Sequence, residues 1–289
     1  MENLIIKASD GLELSTAFFP VSDAKGVVQI VHGALEHKER YYDFICFLNK
    51  NGYSAIICDN RGHGASTNSR FPRGYMNGVN QMLDDMYRVT LCAKELCSDT
   101  PLHMLGHSFG SCLVRCYLQK HDDELKSLIL SGTANYQKNV FAGMIIGRVI
   151  TAARGGYTSS SWLTEIDKEP DTSWLSYNEE NNRRARNDKL SFQYYTNRGQ
   201  LTVWESDYRL KKYHQYRCKN PSLRILSVTG EDDFISGGRS GLDDTERTLR
   251  KIGYQDITII NYPHMKHEPL NEVNNQIVYN DILKFLSVT

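Results

Sequence analysis

The sequence predicts an α/β protein with a mostly parallel sheet, and two observations support this prediction. Continuous apolar runs such as Gly26–Val31 and Tyr53–Cys58 are typical of strands that are buried on both faces of a parallel sheet. Segments with helical periodicity, such as Val79–Leu96, separate these runs along the chain. Strands that alternate with helices imply a parallel sheet with helices on its faces.

Turn and cap signals then define the individual elements in order. Asp10-Gly11 is a strong two-residue turn signal, so the first two strands are predicted to form a hairpin. Asn51-Gly52 ends a predicted helix at 41–50, and further helices are predicted at 79–96, from Ser111 onward, and up to Leu286. The predicted strands number eight and cover residues 4–8, 12–19, 26–31, 53–58, 101–105, 126–130, 223–228 and 256–260.

A Gly-x-Ser-x-Gly motif, Gly106 to Gly110, lies between the strand at 101–105 and the helical pattern that follows it. This context is typical of a nucleophile elbow, in which the two glycines leave room for a strained strand-to-helix turn. Such a turn exposes the serine hydroxyl above the edge of the sheet. The sequence therefore predicts Ser108 as a nucleophile.

A serine nucleophile needs a base that takes its proton and a carboxylate that orients the base. With this elbow the partners follow in the order Ser, Asp or Glu, His. The turn after the strand at 223–228 is rich in carboxylates, and we predict Asp233 as the acid, with Asp232 as the alternative. The loop before the last helix offers His264 or His267 as the base, and His267 lies nearer the start of the helix.

Five separate motifs, spread over almost the whole chain, carry a family resemblance. They are His32 to His37, Asp59 to Ser66, the elbow around Ser108, Gly230 to Asp233, and Tyr262 to His267. With them the chain resembles the monoacylglycerol lipase and lysophospholipase group of the α/β-hydrolase superfamily. The resemblance implies the α/β-hydrolase fold, with an eight-stranded sheet and a helical cap, and a serine hydrolase that cleaves esters of lipid-like substrates.

The resemblance also separates the two candidate bases. His267 falls on the family's base, whereas His264 falls where relatives usually carry glycine. Ser236-Gly237 stands where relatives of the mammalian lipase tend to carry Cys-Asp, so the identical substrate is not implied. Monoacylglycerol is the first expectation, with lysophospholipid or a short-chain carboxylic ester as the runner-up. A peptidase of the same fold and a binding protein without turnover rank below them.

An oxyanion hole needs two preorganised N–H donors, which in this fold come from the residue after the nucleophile and from the loop after an early strand. These are the backbone amides of Phe109 and Ala34. The nearby polar residues His32, Glu36, His37 and Arg40 are predicted to be structural. Scaffolding roles are predicted for Asp59 and His63, because both precede the elbow in the sequence, whereas the catalytic histidine of this fold follows the acid. His107 is expected to point away across the turn, and His103 to be a core residue.

The alternation of strands and helices stops between Ser131 and about Tyr216. We predict that residues 131–216, named the cap segment below, form a helical insertion over the nucleophile, and that 1–130 and 217–289 form the core. Arg183, Arg184, Arg186 and Lys189 in this segment are predicted to be solvated surface, with attraction of a phosphate-bearing headgroup as the alternative.

An apolar stripe at roughly helical spacing also lies in the cap segment. Its members are Val140, Phe141, Met144, Ile145, Ile146, Val149 and Ile150. Stripes at this spacing are usually buried, so packing against the core is the favoured interpretation. The alternative is an acyl-chain portal that makes transient contact with a membrane or micelle.

Composition narrows the classes of partner. The 34 basic and 34 acidic residues give a formal charge of zero, so no global field favours nucleic acid or an anionic membrane. A neutral small lipid ester and water fit better as substrates. The sequence shows neither a signal peptide pattern nor a run of about 18 apolar residues, and a cytoplasmic location is expected.

The seven cysteines have no regular spacing, which argues against a disulfide framework. Buried, reduced thiols are predicted for Cys46, Cys58, Cys92, Cys112 and Cys116, and greater exposure for Cys97 and Cys218. A cysteine nucleophile is disfavoured because no cysteine lies in an elbow. The sequence lacks His-Glu-x-x-His spacing, and a serine mechanism requires no ion, so no cofactor or metal is expected.

Overall fold

A central eight-stranded sheet organises the molecule, which a computed structural model describes at residues 1–164 and 171–288. The strands are β1 (Glu2–Lys7), β2 (Glu13–Phe19), β3 (Gly26–Val31), β4 (Tyr53–Cys58), β5 (Leu102–His107), β6 (Ser127–Ser131), β7 (Arg224–Gly230) and β8 (Ile257–Tyr262). Their order across the sheet is β1-β2-β4-β3-β5-β6-β7-β8. Among these eight strands, the pairs β1/β2 and β2/β4 are antiparallel and the other five pairs are parallel, which confirms the predicted α/β class.

Helices cover both faces of the sheet. They are α1 (Tyr42–Lys50), α2 (Val79–Leu96), α3 (Phe109–His121), α4 (Val140–Arg154), α5 (Glu179–Asn187), α6 (Asn197–Arg209), α7 (Gly238–Ile252) and α8 (Asn275–Ser287). Side chains alternate along the buried strands, so Val27 and Met104 join a core with α2 and α3, whereas Val28 and Leu105 join a second core with α1 and α8. This burial on both faces explains the continuous apolar runs in the sequence.

The predicted boundaries differ from the observed ones by at most two residues, and those of β3, β4 and α2 coincide with them. β1 begins at Glu2 instead of residue 4, because Glu2 pairs with Phe18 of β2. β5 continues to His107, two residues beyond the predicted end, because its backbone pairs with β6 up to that point. Pairing with a neighbouring strand, which no local pattern records, sets where each strand ends.

The parallel strands direct their carboxyl ends toward one edge of the sheet. Loops leave this edge after β3, β5, β7 and β8, and they carry Ala34, Ser108, Asp233 and His267. Side chains at this edge of an open α/β sheet commonly form the ligand site. The topology therefore brings together four loops that are far apart in sequence.

Helices α4, α5 and α6 all lie within the cap segment, and the division of the chain at residues 131 and 216 stays a prediction. α4 packs closely on α6, since a methyl group added at Gly147 would lie 2.7 Å from the Leu201 side chain. Only one side of α4 is buried in this way, through Val140, Met144 and Gly147.

The opposite side of α4 is exposed, so the prediction that the whole apolar stripe packs on the core is wrong. The exposed fractions are 53% for Phe141, 49% for Ile145, 58% for Ile146 and 66% for Val149. Helical spacing identifies an apolar face but not whether a neighbour covers it. Here α6 covers only one edge of the stripe.

The cysteine predictions hold in part. Cys58, Cys112 and Cys116 are buried, and burial raises the pKa of the Cys58 thiol to about 12. Cys46 is exposed, contrary to prediction, because it lies on the outer face of α1. Among the helices of the described residues, none is long and apolar enough to cross a membrane.

Candidate active site

Ser108 occupies a strained turn between β5 and α3, with φ 53° and ψ −119°. Positive φ is rare for a residue that carries a side chain, and such strain persists only where the surroundings enforce it. The flanking glycines permit the turn, because a Cβ at Gly110 would lie 2.2 Å from the carbonyl oxygen of Val31. A Cβ at Gly106 would lie 2.5 Å from the carbonyl oxygen of Gly110. Local sterics thus explain the motif recognised in the sequence.

The structure brings Ser108, His267 and Asp233 together. Ser108 Oγ lies 2.8 Å from His267 Nε2, and His267 Nδ1 lies 3.0 Å from Asp233 Oδ2. The second contact is within hydrogen-bonding distance, but its N–H direction is poorly aligned. Such bonds often align only when substrate is bound. Both His267 and Asp233 are buried, which shields their interaction from water.

The two alternatives raised by the sequence lie elsewhere. Asp232 turns outward and accepts a hydrogen bond from Tyr177 Oη at 3.0 Å. His264 is exposed at φ 54°, a conformation that favours glycine. The Asp233 side chain is held in place by the Ile235 amide, which donates a hydrogen bond to its Oδ1 at 2.9 Å.

The backbone amides of Ala34 and Phe109 have no acceptor within the described part of the chain. Phe109 is the first residue of α3, so its N–H has no partner inside the helix and lies at the positive end of the helix dipole. The peptide that carries the Ala34 N–H is oriented by His32, whose Nδ1–H donates to the Gly33 carbonyl at 2.8 Å. Both amides are therefore available to a negatively charged oxygen.

His32 can donate in this way because its tautomer is fixed. Its Nε2 accepts a hydrogen bond from the Asn60 amide at 2.8 Å, which leaves the proton on Nδ1. Burial is the main cause that lowers the pKa of His32, so the ring is neutral at neutral pH. His32 thus has the predicted structural role, which is to orient the peptide that carries the Ala34 N–H.

A buried ion-pair network joins the loop after β3 to the loop that carries His267. Arg40 donates to Glu36 at 2.9 Å and to both oxygens of Glu268 at 2.6 Å. Burial by itself would raise the pKa of Glu268, but the Arg40 guanidinium, His107 and hydrogen bonds from Asn181 and Asn271 together outweigh it and lower this pKa to about 2. Glu36 also accepts hydrogen bonds from the Gly33 amide at 2.5 Å and from Tyr41 Oη at 2.6 Å.

Asp59 and His63 have the scaffolding positions predicted for them. Asp59 accepts hydrogen bonds from the Lys38 and Ala65 amides, each at 2.9 Å, and pairs with Lys38 Nζ at 2.6 Å. His103 is buried and bonded to Ser127 Oγ at 2.8 Å, also as predicted.

His107 does not point away from the site as expected. It is buried, and its ring centroid lies 5.0 Å from that of His267. Burial, followed by the nearby His267, lowers the pKa of His107. The neutral His107 ring therefore packs against one side of the His267 ring. This contact depends on where the loop after β8 lies, and the sequence around His107 does not show that.

A cavity of about 670 Å³ opens beside Ser108 and His267. Pockets of this size hold small organic ligands. The Trp174 ring, from the cap segment, lies 5.1 Å from the His267 ring between centroids. Charged groups also line the cavity, namely Glu36, Arg40, Asp171, Arg186, Asp188 and Glu268. The site thus offers both polar and aromatic contacts to a ligand.

The four basic residues of the cap segment divide into two groups. Arg183 and Arg184 are exposed and pair with Glu180, and Lys189 is exposed, which agrees with the predicted solvated surface. Arg186 is also exposed but borders the cavity.

Sequence reasoning missed Trp174 and Glu268 as site residues. Glu268 directly follows the candidate base, yet no local signal shows that this carboxylate is buried against Arg40. Trp174 belongs to no motif that the sequence reveals. Its position above His267 depends on how that segment folds back over the sheet.

Comparison with known proteins identifies the family. A family model described as "Serine aminopeptidase, S33" matches residues 22–274. The monoacylglycerol lipase of Mycolicibacterium smegmatis is 22% identical over 272 residues, which cover 92% of this chain and 90% of that protein.

Two solved structures are similar in fold. A thermostable carboxyl esterase from Bacillus coagulans has a TM-score of 0.86 at 23% identity, with 99% of this chain and 97% of that chain covered. A soluble variant of monoglyceride lipase from Saccharomyces cerevisiae has a TM-score of 0.79 at 21% identity, with 99% and 94% covered. At such identities the structures establish the fold alone. Because the family model spans most of the chain and the fold agrees with it, the chain belongs to the serine aminopeptidase S33 family and is a hydrolase of the α/β-hydrolase fold.

Proposed function

We propose that this protein is a carboxylic ester hydrolase that forms an acyl-enzyme on Ser108, with monoacylglycerol as its preferred substrate. The observation that carries the proposal is the 2.8 Å contact between Ser108 Oγ and His267 Nε2 at a strained elbow. A hydroxyl at this distance from an imidazole can lose its proton as it attacks a carbonyl carbon.

In the proposed mechanism His267 acts as base and then as acid. Nε2 takes the proton of Ser108 during the attack, while Asp233 stabilises the resulting imidazolium through Nδ1–H. The Ala34 and Phe109 amides donate to the oxyanion of the tetrahedral intermediate. His267 then protonates the leaving alcohol, and a water molecule activated by the same histidine releases the acid.

The polar groups beside the nucleophile support an ester of a polar alcohol, such as glycerol. The named activity of the Mycolicibacterium smegmatis relative supports the same choice. A lysophospholipid is the second candidate, because Arg186 borders the cavity and could pair with a phosphate group. The predicted cytoplasmic location stays a prediction.

A panel of four substrates tests the substrate class. We expect kcat/KM to be highest for monoacylglycerol, ahead of lysophosphatidylcholine, p-nitrophenyl acetate and an aminoacyl arylamide. The variant Arg186→Gln, with Arg183→Gln as the exposed control, separates the first two substrates. A preference for lysophosphatidylcholine that only Arg186→Gln abolishes would replace monoacylglycerol by a lysophospholipid, and a preferred arylamide would indicate a peptidase.

We also propose that the exposed face of α4 makes transient contact with a membrane or micelle. Phe141, Ile145, Ile146 and Val149 lie together on this face, and amphipathic helices with such faces bind at lipid interfaces. A lipid substrate would then be taken up from the interface by the segment that also lines the cavity.

Substitution on this face should affect only aggregated substrate. Each apolar side chain that loses its burial in lipid costs about 1.5 kcal/mol, or roughly tenfold in partitioning. We therefore expect Ile146→Ser with Val149→Ser to lower activity on vesicle-bound monoacylglycerol by at least tenfold while p-nitrophenyl acetate hydrolysis stays unchanged. Ile277→Ser on α8, where Ile277 is 53% exposed, is the matched control. Equal effects of the two variants would contradict the proposal.

A further inference from the structure

Leu35, the residue directly after the Ala34 amide, has a strained backbone. Its φ is 63°, in the left-handed region that favours glycine. A bulky residue stays in this conformation only when other contacts hold it there.

Both polar backbone groups of Leu35 are bonded to the cap segment. Its N–H donates to Tyr195 Oη at 3.0 Å, and its carbonyl accepts a hydrogen bond from the Phe192 amide at 3.1 Å. Tyr195 is buried and lies 160 residues away in sequence. The conformation of Leu35 therefore depends on a segment outside its own loop.

His63 fixes the direction of the Tyr195 hydroxyl. Nδ1–H of His63 donates to the Arg61 carbonyl at 3.0 Å, so its Nε2 must accept the Tyr195 proton at 2.8 Å. Burial lowers the pKa of His63 to about 3, so the ring stays neutral and able to accept. With its proton directed to His63, the hydroxyl turns a lone pair toward the Leu35 N–H.

The Ala34 amide lies between two peptides that are held from outside. On one side the Gly33 amide is bonded to Glu36, and on the other the Leu35 amide is bonded to Tyr195. A donor in an oxyanion hole must keep its direction during the reaction, since it stabilises charge that develops only in the transition state. Loosening either side would let the Ala34 N–H turn.

We propose that Tyr195 is a positioning residue for the oxyanion hole, acting through the Leu35 peptide on the Ala34 N–H with His63 as its anchor. This inference rests on the proposed function. A consequence is that both oxyanion donors are held in place only when the cap segment contacts the loop after β3. The scaffolding residue His63 thereby contributes to the reaction without touching substrate.

The test uses Tyr195→Phe, which removes only the hydroxyl. We expect kcat for a soluble ester to fall ten- to hundredfold with KM nearly unchanged, less than the loss of about 10² to 10³ when an oxyanion donor is removed outright. Tyr194→Phe is the matched control, since Tyr194 is adjacent and partly exposed and makes no side-chain hydrogen bond among the described residues.

Two inhibitors distinguish positioning from a merely structural role. A trifluoromethyl ketone adds to Ser108 Oγ, the serine proton passes to His267, and the carbonyl oxygen becomes an oxyanion in the hole. A monoalkylglycerol ether binds the pocket without reacting. Affinity for the ketone should fall in step with kcat/KM, while affinity for the ether stays constant. Parallel losses for both inhibitors would overturn the inference.

If Tyr195→Phe does not fold, His63→Leu provides the second test, because it keeps the tyrosine but removes the acceptor that orients its hydroxyl. The same split between the two inhibitors is expected, and wild-type behaviour of either variant would refute the positioning role. Wild type that fails to hydrolyse any ester would instead refute the proposed function, so the two failures are distinguishable.

Discussion

Replacing Ser108 by alanine is expected to lower kcat for ester hydrolysis by roughly 10⁶, the loss that removal of the nucleophile causes in a serine protease. The fold should persist, because within the described residues the Ser108 side chain bonds only to His267. The measurement is hydrolysis of a p-nitrophenyl ester together with intact-mass analysis after treatment with a fluorophosphonate. We expect one adduct on wild type and none on Ser108→Ala.

Retained turnover in the alanine variant would show that another group is the nucleophile. Circular dichroism and thermal melting of the same preparation check that the variant is folded. A folded wild type that forms no adduct and cleaves no ester would favour a binding protein that keeps the fold without turnover.

The second large loss of activity is expected when either proposed partner of Ser108, Asp233 or His267, is replaced. Each replacement is compared with the same kind of replacement at a nearby residue. Asp233→Asn should lower kcat by about 10⁴, as the same change does in a serine protease, because the amide favours the wrong imidazole tautomer. Asp232→Asn is the control, since Asp232 is bonded to the exposed Tyr177 and should leave kcat within twofold. The measurement is kcat for the soluble ester in both variants.

His267 is tested in the same way, with His264 as the control residue. His267→Ala should lose activity to nearly the extent of Ser108→Ala, because residues that act as one unit are not additive. His264→Ala should retain activity, since His264 is exposed on the outer side of the loop. An inactive His264→Ala beside an active His267→Ala would mean that the proposed base is wrong.

The elbow around Ser108 could be predicted because its causes are local. A strand, two glycines and a helix are all visible within about fifteen residues, and the close approach of Gly110 to Val31 leaves room for no other residue type. The class of fold was predictable for a similar reason, since apolar runs on β3 and β4 record burial on both faces.

The local sequence does not show which of two nearby candidate residues points into the site. Asp232 and Asp233 differ by one position, yet one contacts the surface and the other His267. Their directions are set by the turn after β7 and by the Ile235 amide that holds Asp233. The resemblance to a family, rather than the residues themselves, separated His264 from His267.

By itself, the sequence determined the α/β class, the order of the strands along the chain, and the strained turn at Ser108, because short-range sterics and burial leave a periodic record. Only the tertiary structure decided what covers each surface. It left the outer face of α4 exposed, buried Glu268 against Arg40, and joined Tyr195 to Leu35 across 160 residues. Such contacts depend on how distant segments meet in space, and no local periodicity encodes that.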